Sequence, residues 1–161
     1  MPFLKAATPL PQVPISRKEL LVFLFAFALG LFAISVYLYG AAYAHTKALD
    51  ALDSNELGAA RTYALIAARL GSNEAAALVG TMYLRGQGGA VDGENAVYWL
   101  ERAADGGNVA SESILGLMYT TGQGVPKSGE KARFWLLRAA NHGDLTSRSL
   151  LDKLSQSPGS I

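Results

Sequence analysis

Between Gly71 and Gly143 the chain repeats itself every 36 residues, and this self-similarity limits the possible folds more than any other feature. Ala67-Ala68, Ala103-Ala104 and Ala139-Ala140 are each followed, at the same distance, by Gly71, Gly107 and Gly143. Gly80-Thr81-Met82-Tyr83 is answered by Gly116-Leu117-Met118-Tyr119, Gly86-Gln87-Gly88 by Gly122-Gln123-Gly124, and Trp99 by Trp135. A unit this short cannot bury its own apolar face and must stack on its neighbours, which is how a solenoid is built. Asn73 to Leu84 and Glu94 to Ala104 carry apolar residues at helical spacing, so each unit reads as a helix pair.

The punctuation agrees. Gly71, Gly107 and Gly143 stand where a helix should stop in a left-handed residue, and Ser72, Asn108 and Asp144 follow as N-caps. Asp92 and Ser128 can cap the second helix of each pair. Gly80 and Gly116 lie inside helices, at a cost of about 1 kcal/mol each relative to Ala, and so mark places where helices approach closely. Trp99, Trp135, Met82, Tyr83, Met118 and Tyr119 read as core, with Tyr63 in the place of the tryptophans one repeat earlier.

The pattern Leu115-Gly116-x-Met118-Tyr119-x-x-Gly122-x-Gly124-Val125, then Lys131-Ala132-x-x-Trp135-x-x-x-Ala139-Ala140-x-x-Gly143, resembles the Sel-one-like repeat (SLR) family, a relative of the tetratricopeptide repeat. The resemblance covers roughly Ala59 to Leu154. The earlier copy departs from it at Gly89, where Val is usual, and the later one at Ser128, where Asp is usual. Ser still caps, while Gly89 is expected to loosen the first connection. The resemblance implies stacked antiparallel helix pairs that scaffold membrane-associated complexes.

Ahead of the repeats, residues 1–16 hold four of the six prolines and read as an extended tail. Ser16-Arg17-Lys18-Glu19 is a capping box that opens a helix. Leu20 to Ala44 contains no charged residue, which is long enough to cross a hydrocarbon layer of about 30 Å. Residues 17–44 therefore read as a transmembrane helix, with Tyr37, Tyr39 and Tyr43 at headgroup depth. Residues 45–55 read as a juxtamembrane helix or linker, 56–154 as the solenoid and 155–161 as a disordered tail. The fold class is thus all-α: one N-terminal transmembrane helix followed by a short α-solenoid of antiparallel helix pairs.

Three basic residues precede the apolar run and Lys47 alone follows closely, which places the N-terminus in the cytoplasm and the repeats in the periplasm of a bacterial inner membrane. The competing reading is a signal peptide cleaved near Ala42-Tyr43-Ala44, leaving soluble periplasmic repeats, although the run exceeds the usual signal-peptide core. Ala26, Gly30, Ala33, Tyr37, Gly40 and Ala44 line one face of the helix, mostly with small residues that allow close packing against another membrane helix.

The side chains offer little chemistry. Cysteine is absent, and Gly86-x-Gly88 and Gly122-x-Gly124 follow helices and lack the Lys-Ser/Thr of a phosphate loop. His45 and His142 have no carboxylate at ligand spacing and read as surface or helix-end residues. Asp144, His142 and a serine could be drawn as a triad, but no nucleophile elbow supports it. From His45 onward eleven basic residues face twelve acidic ones, which gives no footprint for nucleic acid.

The reading is of a non-enzymatic adaptor without cofactor, metal or small-molecule substrate, whose partners are other proteins and the lipid bilayer. Its binding surface is expected where the repeats differ, at Thr81, Arg85, Tyr98, Leu117, Thr121 and Phe134, and at the matched arginines Arg102 and Arg138 beside them. The alternative is a small accessory subunit that stabilises a larger membrane enzyme, transport or secretion complex through its transmembrane helix.

Overall fold

A computed structural model describes residues 16–156, and every regular element among them is an α-helix. These are α1 (Arg17–Asp53), α2 (Leu57–Arg69), α3 (Asn73–Arg85), α4 (Gly93–Asp105), α5 (Val109–Thr121), α6 (Gly129–Asn141) and α7 (Leu145–Gln156). The extended tail expected before residue 16 and the disorder expected over residues 157–161 lie outside the described residues. Residues 155 and 156, read from sequence as tail, continue α7.

The chain divides into two compact units, one ending at Val36 and the other beginning at Tyr37. In the first, the capping box forms: Ser16 N–H donates to Glu19 Oε2 at 2.8 Å and Glu19 N–H to Ser16 Oγ at 3.2 Å. Its large apolar side chains, from Leu20 to Val36, are all exposed. The helix is long and apolar enough to cross a membrane.

The second unit is the solenoid, in which each helix from α2 to α6 packs on the one that follows it. Gly71, Gly107 and Gly143 take φ values of 95°, 88° and 93°, a left-handed turn that lets one helix stop and the next begin at once. The next residue caps each time: Ser72 Oγ accepts from Ala75 N–H, Asn108 Oδ1 from Ser111 N–H and Asp144 Oδ2 from Ser147 N–H. Asp92 and Ser128 cap α4 and α6 in the same way.

The helical glycines mark the tightest contacts within a pair. A Cβ on Gly80 would lie 2.6 Å from Leu100 Cγ, and one on Gly116 would lie 2.6 Å from Leu136 Cδ2. Leu100 and Leu136 are fully buried by this approach. Each side chain contributes about 2 kcal/mol of apolar burial, which offsets the helix-propensity cost of its glycine.

The last part of α1 serves as the first helix of the stack. A shift of one repeat places Ala44 on Gly80 and Ala64 on Leu100, and both alanines are buried in one core. That core also takes in Ala48, Ala60, Val79 and Met82, and Trp99 closes it from the next repeat. A second core gathers Leu100, Leu115, Met118, Tyr119 and Trp135. Each tryptophan thus seals the repeat before its own. Tyr63, which has no preceding pair to cover, is 37% exposed where Trp99 is 5%.

Gly89 does not loosen the first connection. Arg61 is buried, with its guanidinium 3.8 Å from the Tyr83 ring centroid and its Nη2 donating to Ala90 O at 3.4 Å. A Cβ on Gly89 would collide with Arg61 Nη1. In the next repeat Val97 and Val125 replace Arg61 and Gly89, and both valines pack on the second core. At the end of the stack, α7 carries the exposed Asp152 at the position of Gly80 and Gly116.

Candidate protein-interaction surface

The second helix of each pair is strongly amphipathic, so one face is buried while its neighbour faces solvent. On α4 that places Tyr98 outward at 55% exposure, beside buried Trp99; on α6 Phe134 is 57% exposed beside buried Trp135. Each exposed ring stands edge-on to its tryptophan, with centroids 5.0 Å apart and interplanar angles of 81° and 78°. Edge-to-face contact fixes the outer ring and leaves its face open to a partner.

One helical turn on, Arg102 lies 5.4 Å from the Trp99 centroid and Arg138 lies 5.3 Å from that of Trp135. The two arginines differ in what else they hold. Arg102 is exposed, while Arg138 is tied down: its Nη2 donates to Ala104 O at 2.7 Å, Nη1 is 3.3 Å from Asp105 Oδ1, and Nε is 2.7 Å from Glu112 Oε1. Arg138 thus clamps α6 to α4 and α5.

The other four expected residues sit on the first helices of the pairs. Arg85 is exposed in the last turn of α3, and Leu117 is 42% exposed on α5. Thr81 and Thr121 turn their hydroxyls back onto their own helices, donating to Leu78 O at 2.8 Å and Leu117 O at 2.9 Å. The surface therefore has two components, an aromatic and arginine ridge on α4 and α6, and a smaller mixed set on α3 and α5.

The six-residue face of α1 also divides. Ala26, Gly30 and Ala33 are exposed, and a Cβ on Gly30 would meet nothing within 4 Å. Ala44 is buried in the first solenoid core, and a Cβ on Gly40 would touch Leu70 Cδ1 at 3.6 Å. A Cβ on Gly71 would lie 3.7 Å from the Tyr37 hydroxyl. Ala44 is therefore part of the chain's own solenoid, and Tyr37 and Gly40 lie beside it.

Sequence reasoning missed one cluster. Glu112 is fully buried, with Oε2 2.8 Å from His142 Nδ1 and Oε1 facing Arg138 without an aligned hydrogen bond. Glu112 stands where the preceding repeat has Ala76, so a charge at a small apolar position was the available signal. His142 ends α6 as expected, but its carboxylate partner is 30 residues away in sequence. Asp144 instead accepts from Ser113 Oγ and Ser147 N–H, and Ser147 Oγ donates to Ser113 Oγ. The hydrogen bonds to Asp144 hold its carboxyl below the usual range. The serines and His142 thus serve different carboxylates, and the arrangement ties α5 to α6 and α7.

Among known proteins, the Sel1 repeat profile matches residues 73–108 and 109–144. No curated protein matches the chain. The solved structure of a protective antigen of uropathogenic Escherichia coli, described as displaying an SLR fold, aligns over 77% of this chain at 26% identity and a TM-score of 0.66. The alignment spans only 27% of that longer protein. A Sel1 repeat protein from Oxalobacter formigenes aligns over 76% of this chain and 96% of its own, at 27% identity and a TM-score of 0.63. Helicobacter pylori cysteine-rich protein B shares the fold at 19% identity and a TM-score of 0.53, over 68% of this chain and 93% of its own. Sel1 repeat proteins are scaffolds for protein–protein interaction.

Proposed function

Residues 73–144 belong to the Sel1-like repeat family, and from that premise we propose that the chain is a membrane-anchored, non-enzymatic adaptor. It presents its solenoid to partner proteins of a bacterial envelope complex, with the apolar N-terminal part of α1 in the inner membrane and the repeats in the periplasm. The observation that carries the reading is the repeated ridge: Tyr98 and Phe134 are large, exposed and fixed by buried tryptophans at equivalent positions. Aromatic side chains held in this way are efficient contact residues, because little conformational freedom is lost on binding. The exposed apolar residues of α1 support the anchor.

Photo-crosslinking amino acids placed at Tyr98 and Phe134, in cells expressing the full chain, should each trap the same discrete protein. Alkaline carbonate should leave the chain in the membrane pellet with its N-terminus intact. Release into the supernatant with a shortened N-terminus would sink the anchor.

The accessory-subunit reading draws on the open space around Gly30. Replacing Ala26, Gly30 and Ala33 with Leu separates the two: loss of assembly favours the subunit, and retained assembly with sensitivity at Tyr98 favours the adaptor.

A further inference from the structure

The connection between α5 and α6 leaves a groove of about 370 Å³ against α4. Val97, Tyr119, Val125 and Pro126 make its apolar lining, with Lys127 and Lys131 also facing it and Glu94 from the first turn of α4. The equivalent place one repeat earlier is occupied by the chain itself, because Arg61 folds over Tyr83 and reaches Ala90. Val97 is too short to do the same.

The charges differ as well. Lys127 and Lys131 replace Val91 and Asn95 of the earlier repeat, and Glu94 replaces Gly58. Lys131 Nζ is 5.0 Å from the Tyr119 ring centroid, where the ring attracts the ammonium. Among the described residues neither lysine has a carboxylate within 4.0 Å. Two exposed cations face one acid of the lining, Glu94, with the half-buried Glu101 also near Lys131. Beside the apolar lining they complement an acidic segment carrying an apolar side chain. The volume suits one or two side chains.

We propose that this groove binds an acidic, apolar-centred peptide segment of a partner protein, with its carboxylates on Lys127 and Lys131 and its apolar side chain over Val97 and Val125. The assignment rests on the reading of the chain as a protein-binding module, but it uses a surface other than the Tyr98 and Phe134 ridge. Specificity arises because, of the two matched repeats, the earlier one fills this place with Arg61 and the later one leaves it open.

The test is fluorescence anisotropy of the full chain in an uncharged detergent with a labelled Glu-Glu-Leu-Phe-Glu-Glu peptide. Lys-Lys-Leu-Phe-Lys-Lys and Glu-Glu-Ser-Ser-Glu-Glu serve as controls for charge and apolar content. The first peptide should bind about tenfold more tightly than either control, and added salt should weaken it. Replacing both Lys127 and Lys131 with Ser, at exposed positions that leave the core intact, should remove the preference for the acidic peptide. Val97→Arg combined with Val125→Gly, which copies the closed first repeat, should weaken binding about tenfold although it adds a positive charge. Equal binding of the acidic and basic peptides, or an undiminished preference in the double Ser variant, would overturn the proposal. Crosslinks retained at Tyr98 and Phe134 alongside either result would leave the adaptor reading standing and sink the groove alone.

Discussion

Arg138 Nε stands 2.7 Å from Glu112 Oε1, so a fully buried carboxylate on α5 is neutralised from the following helix. His142 supplies a second contact at 2.8 Å. Removing the cation leaves the charge behind in the core, which costs more than removing both. Arg138→Ala should destabilise the solenoid by roughly 3 kcal/mol, while Glu112→Ala, which restores the residue type of Ala76, should cost less. The double variant should be more stable than Arg138→Ala alone. Thermal melts of the four proteins check this, and simple additivity would mean that the pair is not coupled.

Arg61 and Gly89 compete for one volume, and this gives a compensating pair. Gly89→Val should destabilise by about 1 kcal/mol by displacing the guanidinium from Tyr83 and Ala90. Adding Arg61→Val reproduces the Val97 and Val125 arrangement of the next repeat and should recover most of the loss. Urea midpoints at constant m-value measure it; a double variant no better than Gly89→Val refutes the shared volume.

Two helical glycines should respond with opposite signs. Gly116→Ala gains helix propensity but presses on Leu136, so the net effect should be a loss of about 1–2 kcal/mol. A Cβ on Gly58 in α2 meets nothing within 4 Å, so Gly58→Ala should stabilise by up to about 1 kcal/mol. Paired melts decide the matter, and a stabilised Gly116→Ala would contradict the close approach.

The carboxylate caps set an acid limit. Hydrogen bonds from Asn95 to Asp92 hold that carboxyl below its ordinary value of 3.8, and those from Ser147 and Ser113 do the same for Asp144. Because the folded-state values are depressed, their stabilisation is complete above pH 3.8 and is lost as pH falls from there through the folded-state values. Asp92→Ser copies the uncharged cap at Ser128 and should flatten this part of the acid titration without losing the cap. An unchanged acid profile in Asp92→Ser would remove Asp92 from the account.

The architecture was legible because a solenoid writes its contacts at a fixed interval. Gly71, Gly80, Ser72 and Trp99 recur with their partners, so turn, close approach, cap and core could each be read twice. Less legible were the exchanges between neighbouring repeats. Arg61 filling the space at Gly89 joins positions 28 residues apart, and Glu112 meets His142 only because α5 and α6 stack. On the candidate surface, Tyr98 and Phe134 were readable as variable positions beside a fixed tryptophan. That Arg138 would act as a clamp while Arg102 stays exposed was not, since both carry the same residue at the same register. The groove was hidden for a similar reason: Val97 draws notice only once Arg61 is seen to close the corresponding place.

The carboxylate of Asp152 bears on whether a second copy can pack on α7. A helix seated on α7 as α4 sits on α3 would drive its leucine into a charged side chain where the inner pairs offer only a hydrogen atom. A second copy is therefore kept from seating on α7 by this close approach, and raising the concentration should not drive association through it. Replacing Asp152 with Gly would remove that barrier.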